Sequence, residues 1–182
     1  MIKTQNIVAA LGVLAGTGVL ATPGIVQAAS NTATADLSVT VGSFIELAVQ
    51  SGDSITVNMD AGADRADAAD KTVLKVNTNK GSGFKIEARD NVVANGGKLM
   101  NGSASIDPMA DGGAAPSGKT GKWGLTTDGN QWYGITGVAK SIVNRSNLTN
   151  MTVDVNYGFS TTENQAAGTY TGTILFTASV NN

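Results

Sequence analysis

Apolar and polar residues alternate one for one along much of this chain. That period of two constrains the fold more than any other feature, because only an extended strand puts every second side chain on the same face. Leu37, Val39 and Val41 alternate with Ser38 and Thr40. Ile45, Leu47 and Val49 follow, then Ile55, Val57 and Met59, separated by Thr56 and Asn58. Phe84, Ile86 and Ala88 alternate with Lys85, Glu87 and Arg89, and Val153, Val155, Tyr157 and Phe159 alternate with Thr152, Asp154, Asn156 and Gly158. The longest run sets Tyr170, Ile174, Phe176, Ala178 and Val180 on one side with mostly threonine on the other, so Tyr170, Ile174 and Phe176 are expected in the core. Strands with one wet face form antiparallel sheets that pack face to face. The expected fold class is therefore all-β, an antiparallel, Ig-like β-sandwich.

Turn chemistry sits where this reading needs it. Gln50-Ser51-Gly52-Asp53, Lys80-Gly81-Ser82-Gly83, Asn95-Gly96-Gly97 and Ala166-Ala167-Gly168 each separate two runs, and glycine supplies the positive φ that tight hairpins require. Residues 107–121 hold Pro108, Pro116 and several glycines without periodicity, which predicts a long surface loop. The one helical turn expected lies around residues 64–70.

Residues 1–28 have the layout of a cleaved signal peptide. Lys3 precedes an apolar run over residues 7–20, Pro23 and Gly24 break it, and Val26-Gln27-Ala28 offers small residues to the peptidase. The run carries Gly12, Gly16 and Gly18 and is shorter than the roughly 20 apolar residues of a spanning helix. No transmembrane segment is expected in the mature chain, 29–182, whose length suits one domain. Secreted and extracellular, or held at the cell surface, is the expected location. Without cysteine, an exported domain must rely on packing and strand pairing. The 12 basic residues are scattered against 14 acidic ones, which argues against nucleic acid as a partner.

Several stretches match catalytic patterns. Gly113-Ala114-Ala115-Pro116-Ser117-Gly118-Lys119-Thr120 matches the phosphate-binding loop, but such a loop needs a strand before it and a helix after it, and Gly121 with the strand-like residues 122–127 follows. Ser82-Gly83-Phe84-Lys85, Arg89-Asp90-Asn91 and Lys119-Thr120-Gly121 resemble the boxes of penicillin-recognising enzymes. The first of these needs a helix to bring lysine onto serine, and here it straddles a turn and a strand. With no His and no Cys, the commonest nucleophile, base and metal arrangements are excluded, and no pair of acids is singled out for glycoside hydrolysis. The expectation is a protein that is not an enzyme and has no cofactor.

Asp60, Asp64, Asp67 and Asp70 supply oxygen ligands of the kind Ca²⁺ takes, at a spacing unlike the twelve-residue calcium loop and with Arg65 and Lys71 among them. A solvated loop or short helix is the simpler account. Asn101, Asn144, Asn147 and Asn150 stand in Asn-x-Ser/Thr sequons and read as turn asparagines. Trp123, Trp132 and Tyr133 hold most of the remaining aromatic surface. They are the candidate ligand-binding residues, with plugging of the core as the equal alternative.

The segment Asn79-Lys80-Gly81-Ser82-Gly83-Phe84-Lys85-Ile86, the literal Trp123-Gly124-Leu125, and the ending Ala167-Gly168-Thr169-Tyr170-Thr171-Gly172-Thr173-Ile174-Leu175-Phe176-Thr177-Ala178 together resemble a diverged WxL-type domain of bacterial cell surfaces. Where that family has Trp-x-Leu after a Gly-x-Gly turn and again in its last strand, this chain has Phe84-Lys85-Ile86 and Phe176-Thr177-Ala178. The ending is also similar to pilin-like and spore-coat-like sandwich subunits. The WxL resemblance implies a non-enzymatic surface protein bound without a covalent link to cell-wall polymer, with an adhesive role toward a glycan or a surface protein. The second implies a structural subunit, a homo-oligomer in a fibre or coat, whose residues 29–35 complete a neighbour's sheet by strand addition.

Overall fold

The structure, a computed structural model, describes residues 36–147 and 150–182. The expected signal peptide, its cleavage site and the proposed donor residues 29–35 lie outside them. The chain divides into two compact units, Met1–Thr40 and Val41–Asn182. In the first, residues 36–40 form no strand, and Leu37 and Val39 are 93% and 80% exposed. The strand expected from their alternation is not formed.

The second unit is the all-β sandwich that the alternation predicts. Its strands are β1 (Ile45–Ser51), β2 (Ala66–Asp67), β3 (Thr72–Thr78), β4 (Phe84–Asp90), β5 (Leu99–Asn101), β6 (Ala104–Pro108), β7 (Lys122–Thr126), β8 (Lys140–Arg145), β9 (Asn150–Phe159) and β10 (Ile174–Val180). One sheet runs β1-β3-β9-β7-β6-β5 with β2 added to β9, and the other runs β10-β4-β8. The core lies between them. Leu74, Val76, Val153, Val155 and Leu125 from the large sheet meet Phe84, Ile86, Ala88, Ile142 and Val143 from the small one, and all are buried.

Four further expectations are corrected. The sheets are not wholly antiparallel, because β6 and β7 run parallel through Asp107↔Lys122 and Pro108↔Trp123. Parallel neighbours need a long connection, and residues 109–121 provide it, so the expected loop begins two residues later than its composition suggests. Around residues 64–70 there is no helix: Ala66 and Asp67 pair with Phe159 and Gly158, and tertiary pairing overrides local preference. Residues 53–60 belong to no strand, although Ile55, Val57 and Met59 are half-buried and Thr56 and Asn58 exposed. Their alternation survives as burial against one side, without a ladder.

The upstream end of β1 is held in a specific way. In the β1–β3 register Ile45 faces Thr78, so Phe44 falls opposite Asn79. There the Asn79 side chain takes over from the ladder, accepting from Phe44 N at 2.8 Å and donating to Gly42 O at 2.8 Å. Thr78 Oγ1 donates to Phe44 O at 2.6 Å. Residues 42–44 thus continue the line of β1 past the end of β3.

Candidate functional site

Packing is uneven across the sandwich. Phe84, Ile86 and Ala88 in β4 are fully buried, whereas Ile174, Phe176 and Ala178, the inward residues of β10, are only half-buried. Ile45 and Leu47 of β1 are half-buried too, and Val49 is 48% exposed. The side where edge strands β1 and β10 lie is therefore the under-packed one. It opens into a cleft of about 850 Å³, within the usual range of ligand sites. Tyr170, Ile174 and Phe176, expected as full core, form its rim, so their shared face was read correctly and their depth was not.

Residues 53–61 form one wall and residues 166–173 the other, while Ile106, Trp123, Ile135, Tyr157 and Phe159 line the apolar interior. The polar groups set deepest are paired. The buried Asp90 carboxylate accepts from Val92 N and Gly97 N, both at 2.9 Å. Thr72 Oγ1 donates to Gly52 O at 2.6 Å and lies 2.8 Å from the Tyr157 hydroxyl, leaving that phenol to donate to it. Burial raises the Tyr157 pKa above its ordinary 10.0. Gly97 ties these parts together. Its backbone is left-handed at φ +85, its carbonyl accepts from Trp123 Nε1 at 2.8 Å, and a Cβ there would meet the Ile135 carbonyl oxygen at 1.7 Å.

The three candidate aromatics do not share one surface. Trp123 is 3% exposed and lines the cleft. Trp132 is 5% exposed, lies outside the cleft, and is covered by the Arg65 guanidinium 5.4 Å from its ring centroid, with Gly158 leaving room for the ring. Tyr133 is half-buried and exchanges two backbone bonds with Leu125. Burial raises its phenol pKa, and the Asp128 charge adds to the shift.

The acidic run does not converge. Asp64 accepts from Gly118 N at 2.6 Å, Asp67 takes both arms of Arg65 at 2.9 and 2.7 Å, Asp60 uses its carbonyl to accept from Thr161, and Asp70 is exposed. Among the described residues no three acids group as metal ligands would. The stretch that matches the phosphate-binding loop lies between β6 and β7, with a strand after it in place of the helix. Its Gly118 N–H is taken by Asp64 and its Lys119 pairs with Glu163 at 3.1 Å. Ser82 donates to the Asn181 carbonyl while Lys85 pairs with Glu87 at 3.0 Å, so these two are not joined.

Sequence reasoning named the strands around the cleft without naming the cleft. The available signal was that Leu37, Val39 and Val41, and again Ile55, Val57 and Met59, supply more alternating apolar positions than the ladders use. No known family's model matches the chain, and no curated protein does.

Proposed function

We propose that this is an exported, non-catalytic bacterial surface protein that works by binding an extended segment of another protein in the cleft. The observation that carries the reading is the conjunction of an open apolar interior with two edge strands, β1 and β10, beside it. Edge strands present unpaired backbone donors and acceptors along one side. An extended peptide can ladder onto such an edge while every second side chain enters the apolar space, the mode known as β-augmentation. The internal pairing of Asp90, Thr72 and Tyr157 supports recognition over chemistry, since these groups are already engaged in holding the walls.

The test is a binding survey with the chain as its host processes it, whose intact mass is expected to begin at Ala29. Uncharged peptides of alternating apolar residues are expected to bind at micromolar concentration, change the fluorescence of Trp123, and raise the melting temperature. Sedimentation with purified wall polymer, with no response to any peptide, would replace this reading by the wall attachment that the WxL resemblance implies. Turnover of a glycan or peptide would overturn the non-catalytic part.

A further inference from the structure

Resting on the reading of the cleft as a peptide site, we infer that the segment it selects is basic, with one lysine or arginine at the Asp53 end of the cleft and another at the Asp60 end. Asp53, Asp60 and the neighbouring Asp70 are then the residues that set specificity.

The charges that line the cleft are uneven. It presents the carboxylates of Asp53, Asp60 and Asp90 against one cation, Lys98, which is paired with Asp107 at 3.5 Å. Asp90 is satisfied by its two backbone donors, yet its charge remains and acts across apolar walls that screen it poorly. Among the described residues Asp53 and Asp60 have no ion-pair partner. An apolar interior edged by uncompensated carboxylates favours a partner of opposite sign and repels an acidic one.

Position gives these charges a use. Along the wall they belong to, residues 55–60 run without a turn, with Ile55, Val57 and Met59 half-buried, and Asp53 and Asp60 stand at its two ends. The seven steps between them span at most about 23 Å of extended chain. A segment lying along this wall therefore meets both carboxylates when its basic residues are about six or seven positions apart, and apolar side chains between them fill the interior.

A polar recess continues the cleft past its Asp53 end. Gly52, Asp53 and Ser54 line both, while Asp70 and Lys71 line the recess alone. Lys71 is held by Asp154, and among the described residues Asp70 has no ion-pair partner. Two carboxylates are thus open to a guest at the mouth of an apolar space. A lysine or arginine suits that place, because its apolar stem can lie against the rim while its charged head reaches Asp53 and Asp70 in water.

The experiment titrates the full chain, as its host processes it, with synthetic peptides that share one alternating valine–threonine core flanked at both ends by lysine, by serine or by glutamate. The lysine peptide is expected to bind roughly fivefold more tightly than the serine peptide or better, and the glutamate peptide more weakly than either. Raising the salt from about 0.1 to about 1 M shortens the screening length from about 10 to about 3 Å and should erase the lysine advantage. A lysine-flanked peptide with an all-serine core should not bind, because the carboxylates act only beside the apolar interior. Peptides with lysine at a single end should separate the two places, one losing its advantage in the combined Asp53→Asn and Asp70→Asn variant and the other in Asp60→Asn. All three side chains are exposed, so the urea midpoint should hold in these variants. Equal affinity for the lysine and serine peptides, a lysine advantage that survives all three substitutions, or equally tight binding of the all-serine core would overturn the inference and leave the peptide reading standing where the serine peptide binds. No binding by any of the peptides would remove both.

Discussion

Phe84 and Phe176 lie in neighbouring strands of the small sheet, the first opposite Val180 and the second opposite Ala88, and both turn toward the large sheet. Their substitution by alanine separates a closed core from an open one. Phe84 is fully buried, so its truncation loses both the transfer free energy and the contacts around the cavity left behind, about 4 kcal/mol. Phe176 is half-buried on the rim of the cleft. Only part of its transfer free energy is at stake, and solvent already reaches the space, so no closed cavity forms; its loss should be about 1.5 kcal/mol. With a urea dependence of about 2 kcal/mol per molar, the midpoints should fall by roughly 2 M for Phe84→Ala and by less than about 1 M for Phe176→Ala. The buried indoles of Trp123 and Trp132 report the transition by fluorescence. Equal losses at the two positions would refute the reasoning, since they would mean that β10 is as tightly packed as β4 and that the cleft is closed in solution.

Gly97→Ala should cost about 4 kcal/mol or more, because it forces a side chain into a left-handed backbone and against the Ile135 carbonyl; a midpoint within about 0.5 M of the parent, on the order of 1 kcal/mol, would contradict the described loop. Lys119→Ala should change stability by less than about 0.5 kcal/mol, as an exposed ion pair contributes little, and calorimetric titration with ATP should give no heat that the variant abolishes. Burial raises the Asp107 carboxyl pKa, but hydrogen bonds from Ser105 and Lys122 and the charges of Lys122 and Lys98 outweigh it, leaving it below 3.8. A carboxyl depressed in the folded state contributes stability above its unfolded pKa and loses it as pH falls through the folded one. The side chain is 39% exposed, so Asp107→Asn should cost only about 0.5 kcal/mol at pH 7. Parent and variant should converge once pH has fallen below the lowered folded-state pKa, and an undiminished gap there would show that the charge is not the cause.

Where a run of apolar side chains occupied the inward face, strands were legible in the sequence, as with Phe84, Ile86 and Ala88 of β4 and with β9. β3 escaped notice because its buried face is Thr72, Leu74, Val76 and Thr78, with a valine, Val73, between the first two. The two threonines are inside because they donate to Gly52 O and Phe44 O, a pairing that only the folded neighbours reveal. Residues 37–41 carry a clean alternation that no neighbour in the described chain uses. Period fixes which side chains share a face and leaves open what lies opposite. The cleft was hidden for the same reason, since it is a property of how far β10 and β1 fall short of enclosing the apolar residues between them. The glycine- and proline-rich stretch was visible as a loop, whereas its work as the crossover between parallel β6 and β7 depends on strand order, which periodicity does not carry.

The bracket of Asn79 on Gly42 and Phe44 has a mechanical consequence. Tension applied to the chain upstream of Val41 enters β1 along its own axis, while the hydrogen bonds joining β1 to β3 lie across that axis. The ladder from Ile45↔Thr78 to Ser51↔Val73 is then loaded in shear, with its rungs sharing the force, where a perpendicular pull would open them one after another. A chain without disulfides thereby gains resistance to traction from strand geometry alone. Force spectroscopy pulling from residue 41 should give a higher rupture force than pulling the same strand from Ser51.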